Sequence, residues 1–322
     1  MIGGRHVLPG PLGAKPRRSR AVGCRCWAWR DKRYWRYEEA YGPRDVIGAF
    51  EASVAAGLDL FDTAEVYGWG KSEKIVGALA RRSEANVVIA TKYAPLSGRG
   101  GARAIHKGLA GSLKRLGLQR VDLYQLHWAD FEEVSIDDAM SAFAEIVHAG
   151  QASAVGVSNF RAAEMRQAHA ALAERGVPLA SNQVHYSLLH RSPEVDGVLD
   201  ACRELNVTLL SYSPLEQGLL TGKYDAAVVP IDGRAEAAWF SAGNVSAAQA
   251  VVGALRAIGE RYGAEPGAVA LAWLLAKPGV VPLAGAKNAR HAQENARALG
   301  IRLSSDEIAE LDSVSQRWRR AG

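Results

Sequence analysis

From about residue 44 onward the chain is punctuated by short apolar runs at 58–61, 86–90, 121–126, 152–157, 179–184, 207–210 and 280–283, each bounded by charge, Gly or Pro. Runs of this length predict seven buried strands. Between them lie helical patterns. Val46, Ile47, Phe50 and Val54 share one face, as do Ile105, Leu109, Leu113 and Leu116, while Val269, Leu271, Trp273, Leu274 and Leu275 crowd a more deeply buried helix. Ser72-Glu73 ahead of Ile75 and Ser158-Asn159 ahead of Met165 predict helix starts. An eighth strand has to come from 22–29, which is less uniformly apolar than the others. Repeated strand-then-helix order with apolar strands throughout predicts an all-parallel sheet covered by helices. The expected fold class is therefore α/β, a single-domain (β/α)8 TIM barrel, with an open doubly wound sheet as the alternative. The connection 215–264 is far longer than usual and predicts an active-site flap or an extra helix.

In such a barrel chemistry gathers where the strands finish. Phe61 is followed by Asp62 with Tyr67 in the loop, Thr91 by Lys92, and Leu126 by His127. One acid, one tyrosine, one lysine and one histidine thus converge from three successive strands. An ammonium beside a phenol favours its ionised form, an acid can hold that lysine charged, and a histidine can hydrogen-bond a carbonyl oxygen or share a proton transfer. Each residue alone has an ordinary explanation: an ion pair, a loop tyrosine, a locally bonded histidine.

Composition narrows the field. At 322 residues, 48% hydrophobic and 23% charged, the chain is ordinary for a soluble globular protein. The net charge of +5 is misleading, because residues 1–37 hold ten Lys/Arg against one acid and the remainder carries a balance of −4. The basicity belongs to one end, so no nucleic-acid partner is expected. Three cysteines, Cys24, Cys26 and Cys202, make neither a disulfide framework nor a zinc site, and no metal is expected. No membrane span is expected either: 237–255 lacks charge but contains Ser, Asn, Gln and Gly. Residues 1–20 read as a basic, loosely ordered leader, 21–315 as the barrel and 316–322 as a C-terminal tail. A cytoplasmic location is expected; an Arg-rich, acid-poor start is shared with organelle transit peptides, but its Gly and Pro argue against an amphipathic helix.

The stretches FDTAEVYG (61–68), IATKY (89–93) and LYQLHW (123–128) resemble the motifs of the aldo-keto reductase superfamily. The likeness runs through GVSNF (156–160), SNQVHYS (181–187), SYSPLEQGLLTGKY (211–224) and PLAGAKNARHAQEN (282–295), in the family's order and spacing, over about residues 40–315. It is strongest to the branch found in plants and photosynthetic bacteria, with its W-A-W stretch near the start. The resemblance implies that Asp62, Tyr67, Lys92 and His127 match a catalytic tetrad, with Tyr67 the general acid. It implies that Ser158, Asn159 and Gln183 hold a nicotinamide carboxamide and that Tyr212 stacks on the ring. Ser213, Leu215, Gly218, Leu219 and Lys223 match positions around a pyrophosphate; Gly285, Lys287, His291, Glu294 and Asn295 match an adenosine pocket. Lys287 suits a 2′-phosphate, which favours NADPH over NADH. Trp27, Trp29, Trp69 and Trp128 match or neighbour substrate-pocket positions, though large amphipathic rings also serve as packing.

The first strand departs from that pattern. In GCRCWAWR (23–30), Arg25 and Arg30 stand where glycines are expected and Cys26 replaces a threonine. An arginine pointing into a barrel without a partner costs several kcal/mol, so either its side chain escapes to the mouth or the strand is distorted. The implied activity is NADPH-dependent reduction of a small-molecule aldehyde or ketone. The alternative is a cofactor-binding regulatory subunit, like the channel β-subunits of the same superfamily, with little turnover.

Overall fold

A computed structural model describes residues 22–129 and 134–320. Eight strands close into a parallel barrel in chain order: β1 (Gly23–Arg25), β2 (Leu60–Asp62), β3 (Val88–Tyr93), β4 (Val121–Leu126), β5 (Ala152–Ser158), β6 (Leu179–His185), β7 (Thr208–Tyr212) and β8 (Val280–Ala284). β1 pairs with both β2 and β8, which completes the ring. The open-sheet alternative is excluded by that closure. Leu60, Val88, Ala90, Leu123, Ala154, Ala180, Leu210, Val281 and Leu283 fill the interior, and a closed barrel needs such a packed centre.

Around it lie α1 (Pro43–Ala55), α2 (Lys71–Arg82), α3 (Ala102–Leu116), α4 (Ile136–His148), α5 (Ala162–Ala173), α6 (Val198–Glu204), α7 (Ala242–Tyr262), α8 (Pro266–Leu275), α9 (Ala289–Arg297) and α10 (Ser305–Val314). The expected buried face of α3 is the observed one, and α8 is buried nearly all round. α2 and α3 come together at Gly77, where a Cβ would lie 1.9 Å from the Leu116 carbonyl oxygen, so no larger residue fits. The long connection 215–264 contains short 3-10 turns and then α7, the extra helix.

Two expected helix starts are displaced. α2 begins after Gly70, and Ser72 lies in its first turn with its hydroxyl donating to the Cys26 carbonyl (2.9 Å). α5 begins after Arg161, whose N–H donates to Glu164 (2.8 Å). Ser158 and Asn159 stay at the end of β5 because their side chains bond into the barrel mouth, to the Gln183 carbonyl (2.8 Å) and the His127 carbonyl (3.0 Å).

The eighth strand is shorter than 22–29. After Arg25 the backbone turns into a 3-10 helix at Cys26–Ala28, pinned by Ser72, by the Tyr41 hydroxyl on the Ala28 carbonyl, and by Trp29 Nε1 on the Ala286 carbonyl (2.8 Å). The following loop holds three non-glycine residues in the left-handed region: Arg30 (φ 76°), Arg36 (φ 55°) and Glu38 (φ 72°). Such a backbone is strained for a residue with a Cβ. Arg36→Gly is expected to raise stability by roughly 1 kcal/mol, because among the described residues the Arg36 side chain makes only an exposed ion pair with Glu39 (2.9 Å). A urea midpoint that stays put or falls counts against strain at this position.

The leader expected at residues 1–20 lies outside the described residues. Residues 316–320 lie against the barrel, with the Arg191 N–H donating to the Trp318 carbonyl (3.0 Å) and Arg319 pairing with Glu194 (3.0 Å). Among the described residues no helix is long and apolar enough to cross a membrane.

Candidate active site

The C-terminal ends of β2, β3 and β4 bring Asp62, Lys92 and His127 together, and the loop after β2 adds Tyr67. Lys92 Nζ lies 2.5 Å from Asp62 Oδ1 and also donates to the Thr63 carbonyl (2.9 Å). Both side chains are fully buried, at 0% exposure. The other Asp62 oxygen accepts from Gln125 (3.2 Å) and Gln183 (3.0 Å). Gln183 therefore reaches the acid at the base of the site through its amide. Gln125 was not singled out from sequence; its signal was a polar residue one position before the end of a strand whose closing residues are otherwise apolar or aromatic.

Tyr67 sits over this pair, with Lys92 Nζ 5.0 Å from its ring centre and the His127 ring 5.8 Å away in an edge-on arrangement. The cation that touches the Tyr67 hydroxyl is not Lys92 but Arg25, whose Nη2 donates to it at 3.0 Å. Arg25 has thus escaped to the mouth, and its strand ends there. Burial, reinforced by Lys92 and Arg25, pushes the His127 imidazole down to about 2, so it is neutral near pH 7. Its Nδ1 is buried without a hydrogen-bond partner among the described residues. A neutral imidazole can bond a substrate oxygen but cannot act as an imidazolium acid, which narrows the two roles open from sequence.

A groove leads away from this cluster. It meets the cluster at Arg25 and Trp27, and Ser213, Leu215, Gly218, Lys223, Gly285, Lys287, His291, Glu294 and Asn295 also line it. Gly218 has φ 106°, a conformation open in practice only to glycine. Ser213, Glu216 and Gln217 are also left-handed, so this wall of the groove stores strain. Leu219 points elsewhere, into a side cluster with Tyr224, Phe240, Val245 and Ala248.

Arg234 and Trp35 are among the groove residues that escaped the sequence reading. Arg234 lies on the long connection, where no periodic pattern marks it, and forms a double hydrogen bond to Asp232 (2.8 and 2.7 Å). Its guanidinium lies over the Trp35 ring (5.0 Å), and Lys287 Nζ lies over the same ring (4.4 Å). Burial, followed by repulsion from Arg234, lowers Lys287 to about 7 and Lys223 to about 8. Burial and then Lys223 lower His291 to about 4. Asp232 is engaged with Arg234 and Glu294 with Arg290 (2.6 Å), so neither lysine has an ion-pair partner among the described residues. Unpaired cations gathered in one groove mark a place for an anion.

The tryptophans divide. Trp27 stacks on Tyr34 (5.1 Å) beside Tyr67, and Trp128 packs against His127 (4.5 Å). Trp29 is fully buried against Phe61, with its N–H bound to the Ala286 carbonyl, so it is wall packing rather than pocket lining. Trp69 is 83% exposed and faces solvent.

Residues 27–316 match the model of the aldo/keto reductase family, nearly the whole chain, with Asp62, Tyr67, Lys92 and His127 inside the match and β1 with Arg25 ahead of it. The chain belongs to this family. Among its aldo/keto reductase relatives, the chloroplastic pyridoxal reductase of Arabidopsis thaliana is 32% identical over 324 residues, covering 97% of this chain and 86% of the relative. The glycerol dehydrogenase of Gluconobacter oxydans superposes with a TM-score of 0.83 at 27% identity, covering 98% of this chain and 96% of that one. An aldo-keto reductase of Klebsiella pneumoniae solved in complex with NADPH gives a TM-score of 0.73 at 26% identity, covering 100% of this chain and 99% of the other.

Proposed function

We propose that this chain is an NADPH-dependent reductase that converts an aldehyde or ketone to an alcohol. The observation that carries the reading is the continuity of the buried Asp62, Lys92, Tyr67 and His127 cluster with a groove holding two unpaired lysines. The groove suits a dinucleotide phosphate: among the described residues Lys223 and Lys287 lack counter-ions, and Nε1 of Trp35, whose ring lies under Lys287, is buried without a partner. Lys223, with the Ser213 to Gly218 backbone, would hold the pyrophosphate, and Lys287, His291, Glu294 and Asn295 the adenosine end. Tyr212, Ser158, Asn159 and Gln183 would hold the nicotinamide, whose chemistry when bound is hydride donation to a carbonyl carbon.

The chain's own residues do the rest. Tyr67 gives its hydroxyl proton to the carbonyl oxygen. Lys92, held by Asp62, stabilises the negative charge left on the ring oxygen. Neutral His127 bonds the same substrate oxygen and orients it. The test is purified full-length protein with NADPH and a panel of aldehydes and ketones, followed at the nicotinamide absorbance. Oxidation that depends on the carbonyl compound supports the reading, and none across the panel overturns it. A regulatory subunit with little turnover is favoured by one observation, the Arg25 contact with the Tyr67 hydroxyl.

The far end of the groove carries its own prediction. With Lys287 near 7 in the free chain, its ammonium is lost as pH rises, while a bound 2′-phosphate favours the charged form. NADPH affinity is therefore expected to weaken from about pH 7 to about pH 9, by up to about tenfold per pH unit. Lys287→Ala should flatten that slope and weaken NADPH more than NADH. Equal losses for the two cofactors, or an unchanged slope, would remove Lys287 from the phosphate site.

A further inference from the structure

The Arg25 guanidinium stands where the cluster and the groove meet. Besides its bond to the Tyr67 hydroxyl, its central carbon is 4.7 Å from the centre of the Tyr212 ring, 5.3 Å from Trp27 and 5.7 Å from Tyr67. Tyr212 ends β7, and its neighbour in register on β6, His185, stacks on it at 5.2 Å with 16° between planes. Arg25 arrives from β1, the opposite way round the barrel. The Tyr212 ring is thus flanked from both directions. Arg25 Nε is shut off from solvent without a partner, and no carboxylate lies within ion-pairing distance among the described residues. Its backbone is ordinary extended chain (φ −83°, ψ 117°), so the placement belongs to the side chain alone.

We propose that Arg25 sets how tightly this chain holds its cofactor, its guanidinium being a built-in competitor for the Tyr212 face and the Tyr67 hydroxyl. The inference rests on the reductase reading, in which a nicotinamide ring takes that face and a carbonyl oxygen that hydroxyl. A guanidinium is flat, delocalised and weakly hydrated, and it lies on an aromatic ring much as a heterocycle does. The two occupants exclude each other. Binding needs a form of the chain with Arg25 swung aside, and apparent affinity falls by the fraction of molecules in that form. The competition is confined to the nicotinamide end; the Lys223 and Lys287 end of the groove does not feel it.

Calorimetric titration of the full chain and its Arg25→Ala variant with NADPH, and with 2′,5′-ADP as a probe lacking nicotinamide, separates these ends. Arg25→Gly is the second variant should alanine impair folding, as judged by circular dichroism. NADPH is expected to bind the variant at least about tenfold more tightly, with 2′,5′-ADP unchanged within about twofold. NADPH binding that is no tighter, with 2′,5′-ADP binding retained, overturns the proposal and leaves the reductase reading standing. Equal tightening of both probes also overturns it, because the gain is then not confined to the nicotinamide end. If neither probe binds any of the proteins, the cofactor reading fails and the proposal with it.

Discussion

Tyr67→Phe is expected to lower carbonyl reduction by about two to four orders of magnitude while 2′,5′-ADP binding stays within about twofold. Only the hydroxyl is removed; the ring keeps its neighbours Trp27 and His127. Among the described residues no other group stands ready to deliver the proton. His127 is neutral, and Lys92 is tied to Asp62 and the Thr63 carbonyl. The comparison is single-turnover reduction with saturating NADPH, beside 2′,5′-ADP titration of both proteins. Turnover that survives the substitution takes Tyr67 out of the proton-delivery role.

Lys92→Met is expected to destabilise the fold by about 3–5 kcal/mol, the usual consequence of stranding one half of a buried ion pair. Asp62 would keep Gln125 and Gln183, but two neutral amides do not balance a carboxylate at 0% exposure. Adding Asp62→Asn should recover a large part of the loss, since the remaining group is then uncharged. Urea unfolding of the two single variants and the double variant reads both effects. A loss under about 1 kcal/mol for Lys92→Met, or a double variant no better than the single, means that the pair is solvated or replaceable.

Much of the barrel was legible because a doubly covered strand has little choice but to be short and apolar. The seven runs correspond to β2 to β8, and the differences lie at the ends. β2 starts at Leu60, not residue 58, because the Leu58 N–H closes the end of α1 on the Ser53 carbonyl (2.8 Å). β3 runs on to Tyr93 because Lys92 and Tyr93 pair with Gln125 and Leu126 across the sheet. The cluster of Asp62, Tyr67, Lys92 and His127 was legible for a related reason: in a parallel barrel, the residue that ends each run arrives at the same mouth.

Other features had no local signature. Trp29, fully buried, and Trp69, 83% exposed, show that a large ring two residues from a pocket position can be core or surface with equal ease, a choice that the sequence left open. Helix starts were displaced where a serine had a better partner on a neighbouring element than in its own turn, as at Ser72 and Ser158.

The sequence by itself determined the layered αβ order, the strand positions and which polar residues meet at the mouth, because burial and chain direction are properties of local pattern. Only the tertiary structure decided that β1 stops at Arg25, that Gln125 and Gln183 support Asp62, that Arg234 crowds Lys287, and that Arg25 lies between Tyr67 and Tyr212. Each of these depends on partners 40 to 190 residues apart in the chain, roughly. A side chain's direction there is set by which distant group accepts its hydrogen bond or offers its ring face, and no run of neighbouring residues records that choice.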